Sequence, residues 1–304
     1  MIDIVGKRYW FFALSLLIIV PGIIGLALWG LPLAIDFTGG SLLEVTFSGG
    51  APEPAQVEDL YREFNIGDPI VQTAGQNGII ARSKTIDDAT RAGIVTALSE
   101  RFSPATLQRF ESVGPAVGAE VARRAAGAVA LAALGILLFI TYAFRRVPHA
   151  IRYGTAAILA MLHDVAVVFG VQAWLSHFFG WEVDALFLTA LLTVIGFSVH
   201  DTIVVFDRIR ENQNIYRRLK YETVVNHSIV QTLDRSINTQ LTVMLTLLAL
   251  ALFGGVTIRH FVIILLVGVF SGTYSSIFNA APILVVWENR EWHNWFRRRR
   301  PAMA

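Results

Sequence analysis

Two His-Asp pairs stand inside otherwise apolar runs. His163-Asp164 interrupts AAILAMLHDVAVVFGVQAW, and His200-Asp201 interrupts LLTVIGFSVHDTIVVFDRIREN. An ionised carboxylate in hydrocarbon costs at least ~2.5–3.5 kcal/mol on insertion scales, so an Asp in such a run calls for a role. Ser or Asn could join two helices by hydrogen bonds, worth ~0.6–2 kcal/mol, without carrying a charge. For Ser198, Thr193, Thr242 and Thr246, packing is a sufficient reading. For Asp201 the charge itself is the point, and taking up and releasing a proton or ion is the chemistry that uses it. Asp164 fits either reading. Arg235 precedes SINTQLTVMLTLLALALF, at the mouth of a further apolar run. It can reach toward a carboxylate or anchor at the interface.

Helical geometry separates the neighbours. At about 100° per residue, His200 and Asp201 point to different faces. Thr189, Thr193, Gly196, His200 and Asp207 share one stripe, while Phe197, Asp201, Val205 and Arg208 lie near another. Two polar stripes place this span inside a bundle. His163 lies roughly 20 Å into its run, and Asp201 roughly 9 Å from the end of its own, at 1.5 Å per residue. The two carboxylates are therefore expected at different heights. That disfavours an aspartyl-protease pair, whose carboxylates must share one site. A zinc site from His163, Asp164, His200 and Asp201 is a further formal option. No phosphate loop, H-E-x-x-H or G-x-S-x-G pattern occurs, so neither enzyme activity nor a cofactor is expected.

The elements that hold these residues are read from composition. The chain has 304 residues, is 54% hydrophobic and only 16% charged, against roughly 25% charge for a soluble domain. This is the composition of a polytopic membrane protein. With no cysteine, disulfides and Cys-ligated metals are excluded. Runs of about 20 apolar residues can cross the hydrocarbon. Six occur, at about 10–30, 125–144, 150–174, 185–207, 239–256 and 259–287. The first is too long for a cleaved leader and lacks a cleavage site, so it is expected to remain as a span. The fifth ends at Gly254-Gly255, suited to a tight turn. The sixth carries Gly268, Gly272, Ser275, Ser276 and Asn279 at small-residue spacing, which lets another helix approach. Pro282 is expected to kink or unwind it.

Positive charge is one-sided. Lys7 and Arg8, Arg145, Arg146 and Arg152, the 208–235 segment, and Arg290 with Arg297 to Arg300 all fall on one side of a six-span arrangement. Both termini are therefore expected in the cytoplasm. Arg123 and Arg124 run against this, next to a long translocated loop where the rule is weak. The 208–236 segment is basic and amphipathic, expected as a cytoplasmic linker lying on the membrane surface or as a solvated helix.

Residues 31–124 are too polar for a bilayer. LLEVTFS (42–48) alternates like a strand, and PAQVEDLYREF (54–64) has helical spacing. PIVQTA and GIIARSK flank GQN, a hairpin turn. IDDATRAGIVTALSERF (86–102) is helical, with Asp87 or Asp88 near the N-cap, and TLQRFESV (106–113) is a last strand. The β-α-β-β-α-β order is that of a ferredoxin-like α+β domain, facing the periplasm or cell exterior. The expected division is a first span over 1–30, this domain over 31–124, and five spans with a basic tail over 125–304.

AIDFTGG (34–40) opens that domain and VGPAVG (113–118) closes it. With LLTVIGFSVHDTIVVFDRIREN, RSINTQLT (235–242) and GTYSSIFNAAPIL (272–284), these segments resemble the SecD/SecF protein-export family of bacteria, over most of the chain. The resemblance implies the resistance-nodulation-division fold, as half of a twelve-span pseudo-symmetric unit completed by a SecD-like subunit in the inner membrane. It implies assistance to the SecYEG translocon and the emerging preprotein, driven by the proton gradient, with lipid but no nucleic acid as further partner. It carries the functional charges onto Asp201 and Arg235, with His200, Asp164, His163 and Asp207 as accessory polar residues. Asp36, Gly39, Gly40, Gly114, Gly118, Gly272 and Asn279 fall in its structural motifs. Ala34 departs from the Gly that usually precedes Ile in the D-F-x-G-G element, which touches only turn geometry. The rival reading is a proton-coupled half-transporter of the same superfamily that exports a small molecule or lipid.

Overall fold

The chain enters through helix α1 (Arg8–Trp29) and a short α2 (Ile35–Thr38). Strand β1 (Gly40–Phe47), α3 (Pro54–Glu63), β2 (Ile70–Ala74), β3 (Gly78–Ser83), α4 (Asp88–Arg101) and β4 (Ala105–Val113) follow. Then come α5 (Pro115–Ala143), α6 (Ala150–Phe179), α7 (Ala185–Ile215), α8 (Tyr221–Phe253) and α9 (Val256–Ser275). A π turn (Ser276–Ala280) joins α9 to α10 (Ala281–Glu288). This computed structural model describes residues 2–67, 69–145 and 149–291. Arg146 and the basic tail at 297–300 lie outside the described residues. One compact unit is Leu33–Gly127, and the other comprises the residues before and after it.

In the smaller unit the expected β-α-β-β-α-β order is present. Its four strands pair in the order β2-β3-β1-β4, each pair antiparallel. Alternation along β1 turns Leu43, Val45 and Phe47 inward, onto Val57, Leu60 and Tyr61 of α3 and Ile94 and Leu98 of α4. Caps fix the helix starts. Glu53 and Gln56 form a capping box around α3, and Asp87 Oδ1 accepts from the Thr90 amide at 2.9 Å at the head of α4. Those Thr90 bonds hold the Asp87 carboxyl below its ordinary range. Gly39 has φ +74°, and a Cβ there would sit 2.6 Å from Pro115 Cα. A Cβ on Gly118 would likewise meet Gly39 N at 2.6 Å. The paired glycines thus let the entry to β1 press on the start of α5, closing the unit where its chain ends meet. Asp36 lies in the first turn of α2, Gly40 also has positive φ, and Gly114 leads into α5.

Among the described residues six helices are long and apolar enough to cross a membrane. Three of these spans, α6, α7 and the α9–α10 segment, are about half buried within the chain, whereas α1, α5 and α8 are mostly uncovered. Small residues set the closest crossings. A Cβ on Gly170 of α6 would sit 2.6 Å from Gly22 Cα of α1, so these backbones touch. Gly272 of α9 packs on Ser198 of α7, the close approach expected from its spacing.

Three expectations need correction. Residues 208–236 are not a surface-lying linker. They are the ends of α7 and α8, with a short turn between. Val224, Val225, Ser228 and Ile229 are buried there, and Asn226 Oδ1 accepts from the Ile4 and Val5 amides at 2.8 and 3.1 Å. Periodicity had shown an apolar stripe without showing what covers it. Nor does Pro282 kink the last span by itself. The π turn lies just before it and widens the helix, and Pro282 then takes a first-turn position of α10, where no amide is needed. Third, α7 is not enclosed on both polar stripes. Thr189, Gly196, His200 and Asp207 are exposed within this chain, and the Asp201 stripe is the buried one.

Beyond the last span, Glu291 gathers Arg8, Tyr9 and Asn289, tying α1 to the end of the bundle. Partial burial pushes its carboxyl up, but these bonds together outweigh that and hold it below the usual range.

Candidate functional site

The aspartates of both His-Asp pairs fall in the bundle core, and their carboxylates are held in opposite ways. Asp164 is fully buried, on the face of α6 that meets α7 and α9. Its Oδ2 accepts from Ser198 at 2.5 Å and Ser275 at 2.7 Å. Its Oδ1 accepts from Ser271 at 2.7 Å and lies 3.0 Å from His163 Nδ1. Three hydroxyls and an imidazole thus converge on one carboxylate, a set suited to a fixed negative charge. Among the described residues His163 Nε2 is buried without a partner, so Nδ1 is the ring atom that engages Asp164. That ring stacks on Tyr274 at 5.9 Å.

Asp201 is 4% exposed and far less satisfied. Ser236 of α8 donates to its Oδ1 at 3.1 Å, and its Oδ2 has no partner among the described residues. Arg235 and His200 act on this carboxyl through space, and the side chain of Gln240 acts on it as a hydrogen-bonding group. Among the described residues Arg235 and Asp201 form no ion pair. A buried carboxylate with one hydroxyl donor and a free oxygen is poorly stabilised as an anion, and is well placed to carry a proton.

The remaining expected residues divide. His200 is exposed on the other stripe, beside Asp201 in sequence but not on its face. Asp207 pairs with Arg210 at 2.6 Å on the helix surface and stays outside the cluster. Asn279, in the π turn, donates to Ser15 Oγ of α1 at 2.9 Å, a packing bond. Ser198, expected to hold helices together by a hydrogen bond, and Ser275, expected from its spacing to let a helix approach, both bond Asp164 of α6. Ser198 lies three residues before Asp201, about 4.5 Å of rise along α7, so the helix that carries one aspartate donates to the other. The two carboxylates share no hydrogen bond among the described residues. Among the described residues no group of three or more His, Cys, Asp or Glu converges as a metal site.

Sequence reading missed Ser236, Gln240 and Ser271. A signal existed for the first two. Ser236 and Gln240 are four residues apart, hence on one helix face, and Gln240 is an amide in an apolar run.

Known proteins share this chain's sequence and fold. Residues 94–290 match the family described as "Protein export membrane protein SecD/SecF, C-terminal", and residues 30–51 match the "SecD/SecF GG Motif". The chain is 59% identical over 308 residues to a protein translocase subunit SecF of Anaerolinea thermophila, covering 100% of both. It is 38% identical to a protein translocase subunit SecDF of Thermus thermophilus, over 86% of this chain and 35% of that one. A crystal structure of SecDF from the same organism, described as a translocon-associated membrane protein, superposes with TM-score 0.81 at 34% identity. That match covers 95% of this chain and 39% of the longer SecDF chain.

Proposed function

This chain belongs to the SecD/SecF protein-export family, and from that premise we propose that Asp201 carries a proton whose passage drives its work. The protein is a multi-pass bacterial membrane protein and an auxiliary, non-enzymatic subunit of protein translocation, working with a SecD partner. Relatives in which the matching region is one part of a longer SecDF chain support that partnership. In the proposed arrangement the complex serves the SecYEG channel and the emerging preprotein. Both termini face the cytoplasm, and Leu33–Gly127 lies outside.

One observation carries the proton assignment: the partnerless oxygen of buried Asp201, with the Arg235 charge acting on it across α7 and α8. Burial favours the neutral carboxyl, and a nearing guanidinium favours the carboxylate. A shift of α8 against α7 would therefore take up or expel a proton at Asp201. Each charge crossing a 100 mV potential is worth about 2.3 kcal/mol, enough for one or two protons to bias helix packing. Asp164, saturated with donors, is the fixed charge beside this movable one.

The test is Asp201→Asn, which keeps size and hydrogen bonding but cannot ionise. The variant should assemble with its partner and lose proton-gradient-dependent stimulation of translocation in vesicles. Full stimulation would make Asp201 a packing residue only.

A further inference from the structure

Two buried oxygens on the helices that form the proposed proton site have no donor among the described residues. They are Asp201 Oδ2 and Gln240 Oε1. Ser236 and Gln240 lie one turn apart on α8, and Ser236 already donates to Asp201 Oδ1, so Gln240 shares the face that lines this carboxyl. Gln240 is 4% exposed and interacts with the Asp201 side chain. A buried carboxyl beside an amide stays paired in both protonation states only if the amide offers its oxygen to the protonated form and its nitrogen to the ionised one. An amide can do either. It has an acceptor end and a donor end, and the torsion that exchanges them is broad and roughly two-fold.

We propose that Gln240 follows the proton on Asp201, accepting from the neutral carboxyl through Oε1 and turning over to donate Nε2–H to the carboxylate. This rests on the reading of Asp201 as proton carrier and adds the group that keeps both of its states paired. The proton arrives from water and leaves to water, and Gln240 itself never ionises. The charged groups acting on Asp201 are His200 on its own helix and Arg235 on α8. Of the other helices packed on α7, α6 brings His163 and Asp164, bound to each other and to the serines, and α9 brings Tyr274, bonded to the Phe11 carbonyl, and His260, bonded to Gln172. α10 brings Glu288, paired with Arg152.

Gln240→Met keeps length and removes both ends of the amide. It takes a charge-assisted bond from the carboxylate and a neutral one from the carboxyl. The former is roughly twice as strong, so ionisation becomes harder. In the complex with its partner subunit, the pH midpoint of gradient-driven translocation should rise by about one unit, a tenfold change. The infrared band of the protonated carboxyl, identified by its loss in Asp201→Asn, should move to the position of a weaker hydrogen bond. Glutamine side-chain labelling with nitrogen-15 needs no variant, and the Gln240 amide band of the unsubstituted complex should shift between acid and alkaline pH. An unmoved midpoint and carboxyl band in Gln240→Met, or a labelled amide band indifferent to pH, overturns this inference alone if Asp201→Asn is inactive. Full stimulation in Asp201→Asn overturns it together with the proton role of Asp201.

Discussion

At the scale of single residues, identical chemistry is given two fates. Asp164 and Asp201 are both carboxyls in the core of one bundle. Asp164 receives Ser198, Ser271, Ser275 and His163, whereas Asp201 receives a single hydroxyl, that of Ser236. Replacing each by Asn should separate them. Asp164→Asn turns an amide NH2 onto hydroxyl donors, of which Ser275 can turn to the Gly272 carbonyl while Ser198 and Ser271 are stranded, and each stranded buried donor costs about 1–3 kcal/mol. Asp201→Asn disturbs one bond to one hydroxyl. Thermal unfolding of the detergent-solubilised protein should therefore show a clear loss for Asp164→Asn and a small change for Asp201→Asn. The reverse order would remove the distinction between a fixed and a movable charge.

At the scale of elements, what matters is how closely helices can approach. α1 and α6 touch backbone to backbone at Gly22 and Gly170. A methyl on Gly170 meets main chain, not a side chain that could swing away. Gly170→Ala should force the two helices apart and cost about 1–3 kcal/mol, as overpacking does. The check is the same melt, with Gly127→Ala, which has open space around its Cβ, as control. The π turn before Pro282 belongs to this scale as well. It places Asn279 against Ser15 of α1 while the serines of α9 face Asp164. One span thereby serves packing and electrostatics at once.

At the scale of the whole molecule, three spans are half covered and three are nearly bare. The exposed stripe of α7, with Thr189, Gly196, His200 and Asp207, is polar. A polar stripe is costly against lipid, so it suits a second subunit or a hydrated path in the assembled complex. Topology is testable directly because the chain has no cysteine. A cysteine introduced at Ser83 should react with an impermeant thiol reagent in intact cells, and one at Asn214 should react only after the membrane is opened. The opposite pattern would reverse the orientation read from the positive charges.

Much of this was legible along the chain because it depends on local rules. Apolar runs of membrane length, the switch to period-2 and period-3.6 patterns between them, and the caps of α3 and α4 need no partner to be recognised. Asp201 was legible too, since a carboxylate in an apolar run is conspicuous wherever the run folds. What it touches was not legible. Whether a serine packs or donates depends on which helix lies opposite and at what height. Ser198, Ser271 and Ser275 come from two helices to meet an aspartate on a third. Likewise, the 208–236 stripe looked like a membrane-surface helix until the N-terminal residues and α7 were seen to cover it. Periodicity reports that a face is apolar or polar. Only the tertiary structure decides what that face meets, and so which of two aspartates is left with an oxygen free for a proton.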